Sequence, residues 1–222
     1  MPVGIITGAS RGLGFALAQV LADRGWHLVV DARGTDELEQ AAAQLGAGVV
    51  AIAGDVADPS HREALVKRAG KQIDLVVNNA SILGPSPQPE LDSYPLDVLD
   101  RVYRVNVVAP LGLIQTALPW LGAGARIVNV TSNAGASPFK GWGGYGSSKA
   151  ALEQLSAVLA LERPELRVYA VDPGNMRTRM HQEAYPDRDI SDLPPPEKVI
   201  PGFMELVDGD HPSGRYVAGD LA

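Results

Sequence analysis

The chain has 222 residues, 45% of them apolar and 20% charged, with a net charge of −7 and no cysteine. That length and composition suit a soluble α/β domain with one core, or two small domains. The acidic balance argues against non-specific nucleic-acid or anionic-membrane binding, and the missing cysteines exclude disulfides, thiolate metal ligands and a cysteine nucleophile.

In chain order, the β-branched run VGIIT before Gly8 predicts a first strand, and Leu13, Leu17, Val20 and Leu21 share one face of a following helix. Gly25 sits where a helix C-cap is expected, and His27–Ala32 reads as a second strand. Strand, Gly-rich turn, helix and strand within about 30 residues make a βαβ unit. The alternation continues with a helix over 35–45, a strand over 49–53, a helix opened by Pro59 to about Ala69, and a strand over 73–77. A Pro-rich loop (84–89) leads to a long helix over about 96–118, in which Pro110 should force a kink. Trp120 and Leu121 end that helix, as core or interface residues. Then come a strand over 126–130, a Gly/Ser loop, a helix to about Glu162, a strand over 167–171, a polar Pro-rich stretch (175–196), a helix over 197–207 and a strand over 215–218. The pattern predicts one α/β domain over 1–222. Its sheet is parallel and doubly wound, of the Rossmann type, with about seven strands and helices on both faces. The 175–196 stretch reads as a short substrate lid, since long irregular segments in compact domains are usually functional or mobile.

In such sheets ligands bind beyond the carboxyl ends of the strands. The polar and glycine residues of this chain collect there: Gly8, Ser10, Arg11, Gly12, Leu13 and Gly14 after the first strand, Arg33 after the second, and Asp55 and Val56 after the third. Asn78, Asn79 and Ala80 follow the fourth, Ser132 the fifth, and Pro173, Gly174, Met176 and Thr178 the sixth. Glycines let the backbone approach a pyrophosphate, and the helix N-terminus supplies N–H groups and positive potential. Tyr145 and Lys149 are four residues apart, so a helix stacks them on one face, and an adjacent ammonium favours the phenolate. That pair fits a proton donor with its pKa lowered toward the working range. Each feature alone has a plainer reading: a tight turn, an exposed helical pair, a loop hydroxyl at Ser132, a structural asparagine at Asn106, a turn aspartate at Asp55.

Taken together and in order, Thr7-Gly8-x-x-x-Gly12-Leu13-Gly14, Asn78-Asn79-Ala80, Asn106, Ser132, Tyr145-x-x-x-Lys149 and Pro173-Gly174 closely resemble the short-chain dehydrogenase/reductase family. Ser132 precedes Tyr145 by 13 residues, the separation usual in that family. The resemblance spans nearly the whole chain. It implies hydride transfer between NADP(H) and a small carbonyl or alcohol, with Tyr145 as general acid/base and Ser132 on the reacting oxygen. Lys149 would hold the nicotinamide ribose and lower the Tyr145 pKa, while Asn106 would position a linking water at a helix irregularity. Asp55 and Val56 would flank adenine, Asn78, Asn79 and Ala80 the adjacent ribose and backbone, and Thr178 the carboxamide.

By the spacing from Thr7 usual in the family it resembles, the position that would select the cofactor falls on Ala32, followed by Arg33. With Arg11 in the turn this favours NADPH, because arginine accommodates a 2′-phosphate. A one-residue register change would bring Asp31 to the ribose and favour NAD(H) instead. Ser81 departs from the family, which usually has glycine there; it would crowd the cofactor or donate a hydrogen bond to it.

The competing readings are a non-catalytic dinucleotide-binding sensor or scaffold, and an isomerase or epimerase. The intact Ser132, Tyr145, Lys149 and Asn106 argue against the first, and the glycine spacing and short C-terminal region against the second. His27, His61, His181 and His211 show no metal-ligand spacing, so no metal is expected; His181 lies in the lid near the substrate mouth. Phe139 and Trp142 flank the Tyr145 helix as pocket or packing residues. The resemblance further implies a homodimer or homotetramer. With no basic n-region and no apolar run of spanning length, the expected location is cytoplasmic, with no nucleic-acid or membrane partner.

Overall fold

The computed structural model describes residues 1–70 and 72–221. Its centre is a run of strands too apolar to face water: in Val3–Ile6 (β1), His27–Ala32 (β2) and Ile73–Asn78 (β4), most residues are buried and the rest are half-buried. Strands of that kind are covered on both faces, which requires helical crossovers between parallel neighbours. The crossovers are Gly12–Asp23 (α1), Thr35–Leu45 (α2) and, after Val49–Ala53 (β3), Pro59–Ala69 (α3). The second half adds Leu96–Tyr103 (α4), Ala109–Ala117 (α5), Leu121–Val130 (β5), Asn133–Ala136 (α6), Gly143–Glu162 (α7) and Arg167–Asp172 (β6). Arg179–Ala184 (α8), Ile200–Asp208 (α9) and Gly214–Val217 (β7) complete the described chain.

The seven strands run in the order β3-β2-β1-β4-β5-β6-β7, every pairing parallel. The order reverses between β1 and β4, so the loops after these two strands part and leave a crevice. The larger core cluster, with Leu17, Leu21, Val30, Tyr169 and Phe203, lies on the face covered by α1 and α9. Leu65, Val66, Leu113 and Ala117 from α3 and α5 pack the other face against Ile5, Ile73 and Val76.

Three stretches differ from the sequence expectation. The long helix is interrupted at Arg104–Val108, where it widens to a π turn, ahead of Pro110. Proline has no N–H for the carbonyl four residues back, that of Asn106, so the loosened turn falls before the proline. Trp120 ends a 3₁₀ turn instead, and Leu121 already belongs to β5. The stretch over 175–196 is not wholly irregular. It holds α8, and Ile190 is buried as an anchor.

Three buried amide and hydroxyl side chains tie the sheet to α7. Asn78 Nδ2 donates to Asn129 Oδ1 at 2.8 Å, and Asn129 Nδ2 donates to Ser156 Oγ at 2.8 Å. Asn78 is thereby turned into the sheet, away from the ribose position expected for it. Asn129→Ala strands the Asn78 amide, while Ser156 keeps its bond to Leu152 O, and a buried polar group left unpaired costs about 1–3 kcal/mol. Urea unfolding is expected to show a loss of about 2 kcal/mol; an unchanged midpoint would mean that water replaces the bond at no cost.

Candidate active site

The turn after β1 is built by close approach. Gly8 has φ +68°, and a Cβ there would sit 2.9 Å from Ala80 Cα; a Cβ on Gly14 would meet Gly8 O at 2.5 Å. Only glycine fits either place. Thr7 Oγ1 accepts from the N–H groups of Asn79 and Ala80, both at 3.0 Å, and Asn79 Nδ2 donates to the carbonyls of Thr7 and Gly8. Thr7 and Asn79 thus clamp the turn to the end of β4. No side chain caps α1 and its first turn holds no acid, so its N–H groups and positive end are unopposed.

A cleft of about 1020 Å³ opens there. Gly8, Ser10, Arg11, Gly12 and Leu13 line it from the turn, Arg33 from the end of β2, and Asp55 and Val56 from the end of β3. Asn79 and Ala80 line it after β4, with Met176 and Thr178 after β6; Gly14 lies behind, buried in the turn. Thr178 also caps α8, its Oγ1 accepting from His181 N at 3.2 Å.

Asp31 lines this cleft, but its carboxylate is already engaged. Its carboxylate is buried, accepting from Gly8 N at 2.7 Å and contacting His61 Nε2 at 2.9 Å. Burial raises its pKa, with the His61 and Gly8 bonds acting against that rise. Arg33 is exposed at the strand end, and Arg11 pairs with Glu37 at 2.5 Å in a half-exposed bridge. Such a bridge is worth about 0–1 kcal/mol, so an incoming anion can displace Glu37 readily. Asp55 accepts from Ala57 N and pairs with Arg101. Burial works to raise the Asp55 pKa, but Ala57, Arg101 and the nearby Arg33 outweigh it and lower the value.

Tyr145, Ser132, Lys149 and Asn106 converge beside the cleft. Ser132 ends the turn after β5 and caps α6, accepting from Ala134 N at 3.2 Å. The Lys149 ammonium is buried, donates to Val130 O at 2.9 Å and lies 5.5 Å from the centre of the Tyr145 ring. Asn106 sits in the π turn. Its Nδ2 donates to Ile82 O and Ser148 Oγ, and its Oδ1 accepts from Ile82 N at 2.9 Å, joining α4–α5 to the residue before Lys149.

The expected lowering of the Tyr145 pKa is not seen. Burial raises it to about 12, and Asp172 adds to the rise, while Ser81 and Ser132 pull it down. Lys149 is desolvated too, its pKa falling from 10.5 to about 8 with Glu153 opposing the fall. A lysine in so dry a place is costly to charge, which weakens its hold on the phenol.

The residues supporting this pair escaped the sequence reading. Arg215 of β7 donates to Glu153 Oε1 at 3.0 Å and to Asp172 Oδ2 at 3.2 Å, bringing one cation to the two carboxylates nearest Lys149 and Tyr145. Thr131 Oγ1 donates to Glu153 at 2.7 Å. The only signal was the alternation of polar residues at the strand ends. Arg101 and His61 were equally invisible, lying on helix faces that only tertiary packing aims at Asp55 and Asp31.

A second cavity, about 230 Å³, adjoins the cleft; Leu83, Met176, Thr178 and Met180 line both. Ser132, Tyr145, Pro173 and Gly174 line the smaller one, with Phe139, Trp142, His181 and Tyr185. The Trp142 ring meets that of Tyr145 edge-on at 5.8 Å and lies 5.8 Å from that of Tyr185. Phe139 and Trp142 are therefore pocket residues. His181 packs its ring against Tyr185 at 5.1 Å, and burial lowers its pKa. Among the described residues no group of three or more acidic or histidine side chains is placed to hold a metal, and no helix is long and apolar enough to cross a membrane.

A doubly wound parallel sheet with a glycine-lined cleft at its switch point defines the class of nucleotide-binding α/β proteins. Residues 2–189 match the short chain dehydrogenase family profile. The chain belongs to the short-chain dehydrogenase/reductase family of oxidoreductases. It is 35% identical over 183 residues to a short-chain dehydrogenase/reductase SDRA of Arabidopsis thaliana, covering 79% of this chain and 71% of that one. It is 32% identical over 223 residues to sepiapterin reductase of Bos taurus, covering 92% and 84%. A short chain dehydrogenase structure from Escherichia coli CFT073, complexed with NADPH, superposes with a TM-score of 0.90 at 29% identity, covering 98% of this chain and 96% of that one.

The depressed Lys149 pKa has a consequence for stability. The unfolded chain keeps that proton up to about 10.5, whereas the folded chain releases it near 8. Between those values the unfolded state binds more protons, so this group makes stability rise with pH. Urea unfolding of the parent and of Lys149→Met is expected to show the parent gaining on the variant from about pH 8 to about pH 10.5. A gap independent of pH would mean that Lys149 keeps its ordinary pKa.

Proposed function

We propose that the protein is an NADPH-dependent reductase of small carbonyl compounds, working through Ser132, Tyr145, Lys149 and Asn106. The observation that carries this reading is the seam between the two cavities: Tyr145 and Ser132 line the smaller one, which shares four residues with the glycine-lined cleft. The residues fit a dinucleotide. The turn leaves backbone room at Gly12, where a Cβ would meet nothing nearer than Thr178 Cγ2 at 3.8 Å, and Arg11 and Arg33 offer guanidinium groups for a 2′-phosphate. Gly8, Ser10, Gly12 and Leu13 would hold the pyrophosphate, with Gly14 packed behind them. Asp55, Val56 and Ala80 would border the adenosine half, Asn79 would act through the turn that it braces, and Pro173, Gly174, Met176 and Thr178 would border the nicotinamide. Binding of NADPH by the Escherichia coli relative supports the same choice. When bound, the cofactor supplies the hydride.

The chain's own residues do the rest. A Tyr145 pKa of about 12 keeps the phenol protonated at neutral pH, the form that gives a proton to a carbonyl oxygen. Ser132 donates to the same oxygen as negative charge develops on it. Lys149, anchored on Val130 O, holds positive charge beneath the phenol and is placed to meet the ribose. Asn106 holds the Ser148–Lys149 turn through Ser148 Oγ. Phe139, Trp142 and Tyr185 exclude water and favour a compact carbonyl with an apolar flank. Reduction is favoured at neutral pH, and alcohol oxidation rises with pH as the phenol ionises. The exposed Leu96 and Val108, and Leu161 on α7, support pairing into a homodimer or homotetramer; a light-scattering mass equal to the 23.4 kDa chain would remove that part.

The test follows nicotinamide absorbance over a panel of aldehydes and ketones with each cofactor. NADPH is expected to give the higher kcat/KM, and Tyr145→Phe to lower kcat by about 10²–10⁴. Arg33→Ala is expected to weaken NADPH about tenfold, roughly the loss of one charge-assisted hydrogen bond, and NADH much less. Tight NADPH binding with no turnover on any carbonyl would instead support a sensor, and a preference for NADH would overturn the roles given to Arg11 and Arg33.

A further inference from the structure

Arg215 belongs to β7, the short edge strand, where it stands in register with Ala170 of β6. Alternation along a strand sends Arg215 and Tyr216 to opposite faces. The Tyr216 ring meets that of Tyr169, in the larger core, at 5.8 Å, so Arg215 is left on the face that carries α7. Its guanidinium forks between two elements. Nε donates to Glu153 Oε1 on α7 at 3.0 Å, and Nη2 donates to Asp172 Oδ2 at the end of β6 at 3.2 Å. The arginine side chain is 34% exposed, while those of Glu153 and Asp172 are 17% and 7% exposed.

Each carboxylate in turn holds a wall of the reaction site. Asp172 Oδ1 accepts from Gly174 N at 2.9 Å, which folds the Pro173–Gly174 turn that lines the smaller cavity. Glu153 Oε1 also accepts from Thr131 Oγ1 at 2.7 Å, and Thr131 is the residue before Ser132. Thr131 N donates to Val171 O at 2.8 Å, closing the link between the ends of β5 and β6. Glu153 lies one helical turn after Lys149, in a tightly filled place. A Cβ on Gly135 of α6 would stand 3.0 Å from Lys149 C and 3.1 Å from Glu153 Oε1. The charges here are Lys149 and Glu153 of α7, Asp172 of β6 and Arg215 of β7, with the Tyr145 phenol beside them. Glu153 favours the charged lysine and Asp172 favours the protonated phenol.

We infer that Arg215 is a positioning residue of the reaction site, setting the Ser132 turn, the Lys149 helix and the Pro173–Gly174 turn against one another and offsetting the two carboxylates behind the Tyr145–Lys149 pair; this rests on the roles proposed above for Tyr145 and Lys149. Arg215 lines neither cavity, so it acts through these groups. Its shape matters as well as its charge. A planar guanidinium meets two carboxylates at once, whereas an ammonium is a point charge on a flexible stem. Without Arg215 each carboxylate keeps one donor, Thr131 Oγ1 or Gly174 N, so the fold survives while the negative charge is uncovered. Loss of a cation makes every neighbouring group hold its proton more tightly.

Lysine isotopically labelled at Cε reports the ionisation of Lys149 by carbon NMR, its signal identified by its loss in Lys149→Met. The parent midpoint is expected near 8. Arg215→Gln is expected to raise it by about one pH unit, tenfold in the neutral fraction, and Arg215→Lys to leave it within about 0.3 units. In the active enzyme Arg215→Gln is expected to lower kcat for alcohol oxidation about tenfold at fixed pH and to displace the pH profile upward by the same unit, with KM for the alcohol changed less than about twofold. Arg215→Lys keeps the charge and loses the fork, so it is expected to retain the parent's pH profile with kcat about threefold lower. An unmoved midpoint in Arg215→Gln overturns the inference, as does a moved midpoint with kcat unchanged. Arg215→Lys decides the matter if the glutamine variant does not fold: parental kcat there overturns the role of the fork. A moved midpoint in a protein that turns over no carbonyl or alcohol leaves the coupling to Lys149 standing and removes the functional reading instead.

Discussion

The arrangement depends on one costly contact, a lysine ammonium taken out of water and set on the carbonyl of Val130. A buried charge persists only when something holds it. Here α7 is fixed to the sheet by Asn78, Asn129 and Ser156, and to the π turn by Asn106 and Ser148. These neutral amide and hydroxyl groups place Lys149 without cancelling its charge. The one compensating carboxylate, Glu153, stands further off and is bridged by Arg215 of the last strand to Asp172, the carboxylate that acts on Tyr145. Dryness therefore acts on both members of the pair, pushing the lysine toward neutrality and the tyrosine toward keeping its proton. A protonated phenol is the form that carbonyl reduction needs.

The same economy of backbone shapes the cleft. Thr7 and Asn79 direct their side chains at main-chain groups, and Asp31 directs its carboxylate at Gly8 N. All three make the turn rigid, so the N-terminal N–H groups of α1 are aimed before anything binds. Preorganised dipoles need no rearrangement when charge arrives, which is why they contribute more than mobile ones. Asp31 is held by His61 and Gly8, and this leaves Arg11 and Arg33 to set the sign of the potential at the adenosine end.

Much of this was legible in the sequence because it is periodic or depends on glycine. The βαβ alternation, the α3 boundaries at Pro59 and Ala69, and the collection of site residues at strand ends follow from patterns that survive folding. What was not legible depends on tertiary aim. Asn78 reads as a cleft residue by its position at a strand end, yet the alternation of side chains along β4 turns it toward Asn129. Tyr145 and Lys149 at helical spacing suggested a lowered phenol pKa; desolvation, which no spacing encodes, decided otherwise. Arg215 lies 62 residues in sequence from the Glu153 that it serves.

The most direct test of this picture is a crystal structure with NADPH and an unreactive analogue of an accepted carbonyl. The analogue's oxygen is expected within about 3 Å of both the Tyr145 and the Ser132 hydroxyls, with the 2′-phosphate between Arg11 and Arg33. An oxygen bound away from Tyr145, with the smaller cavity filled by some other part of the ligand, would contradict it.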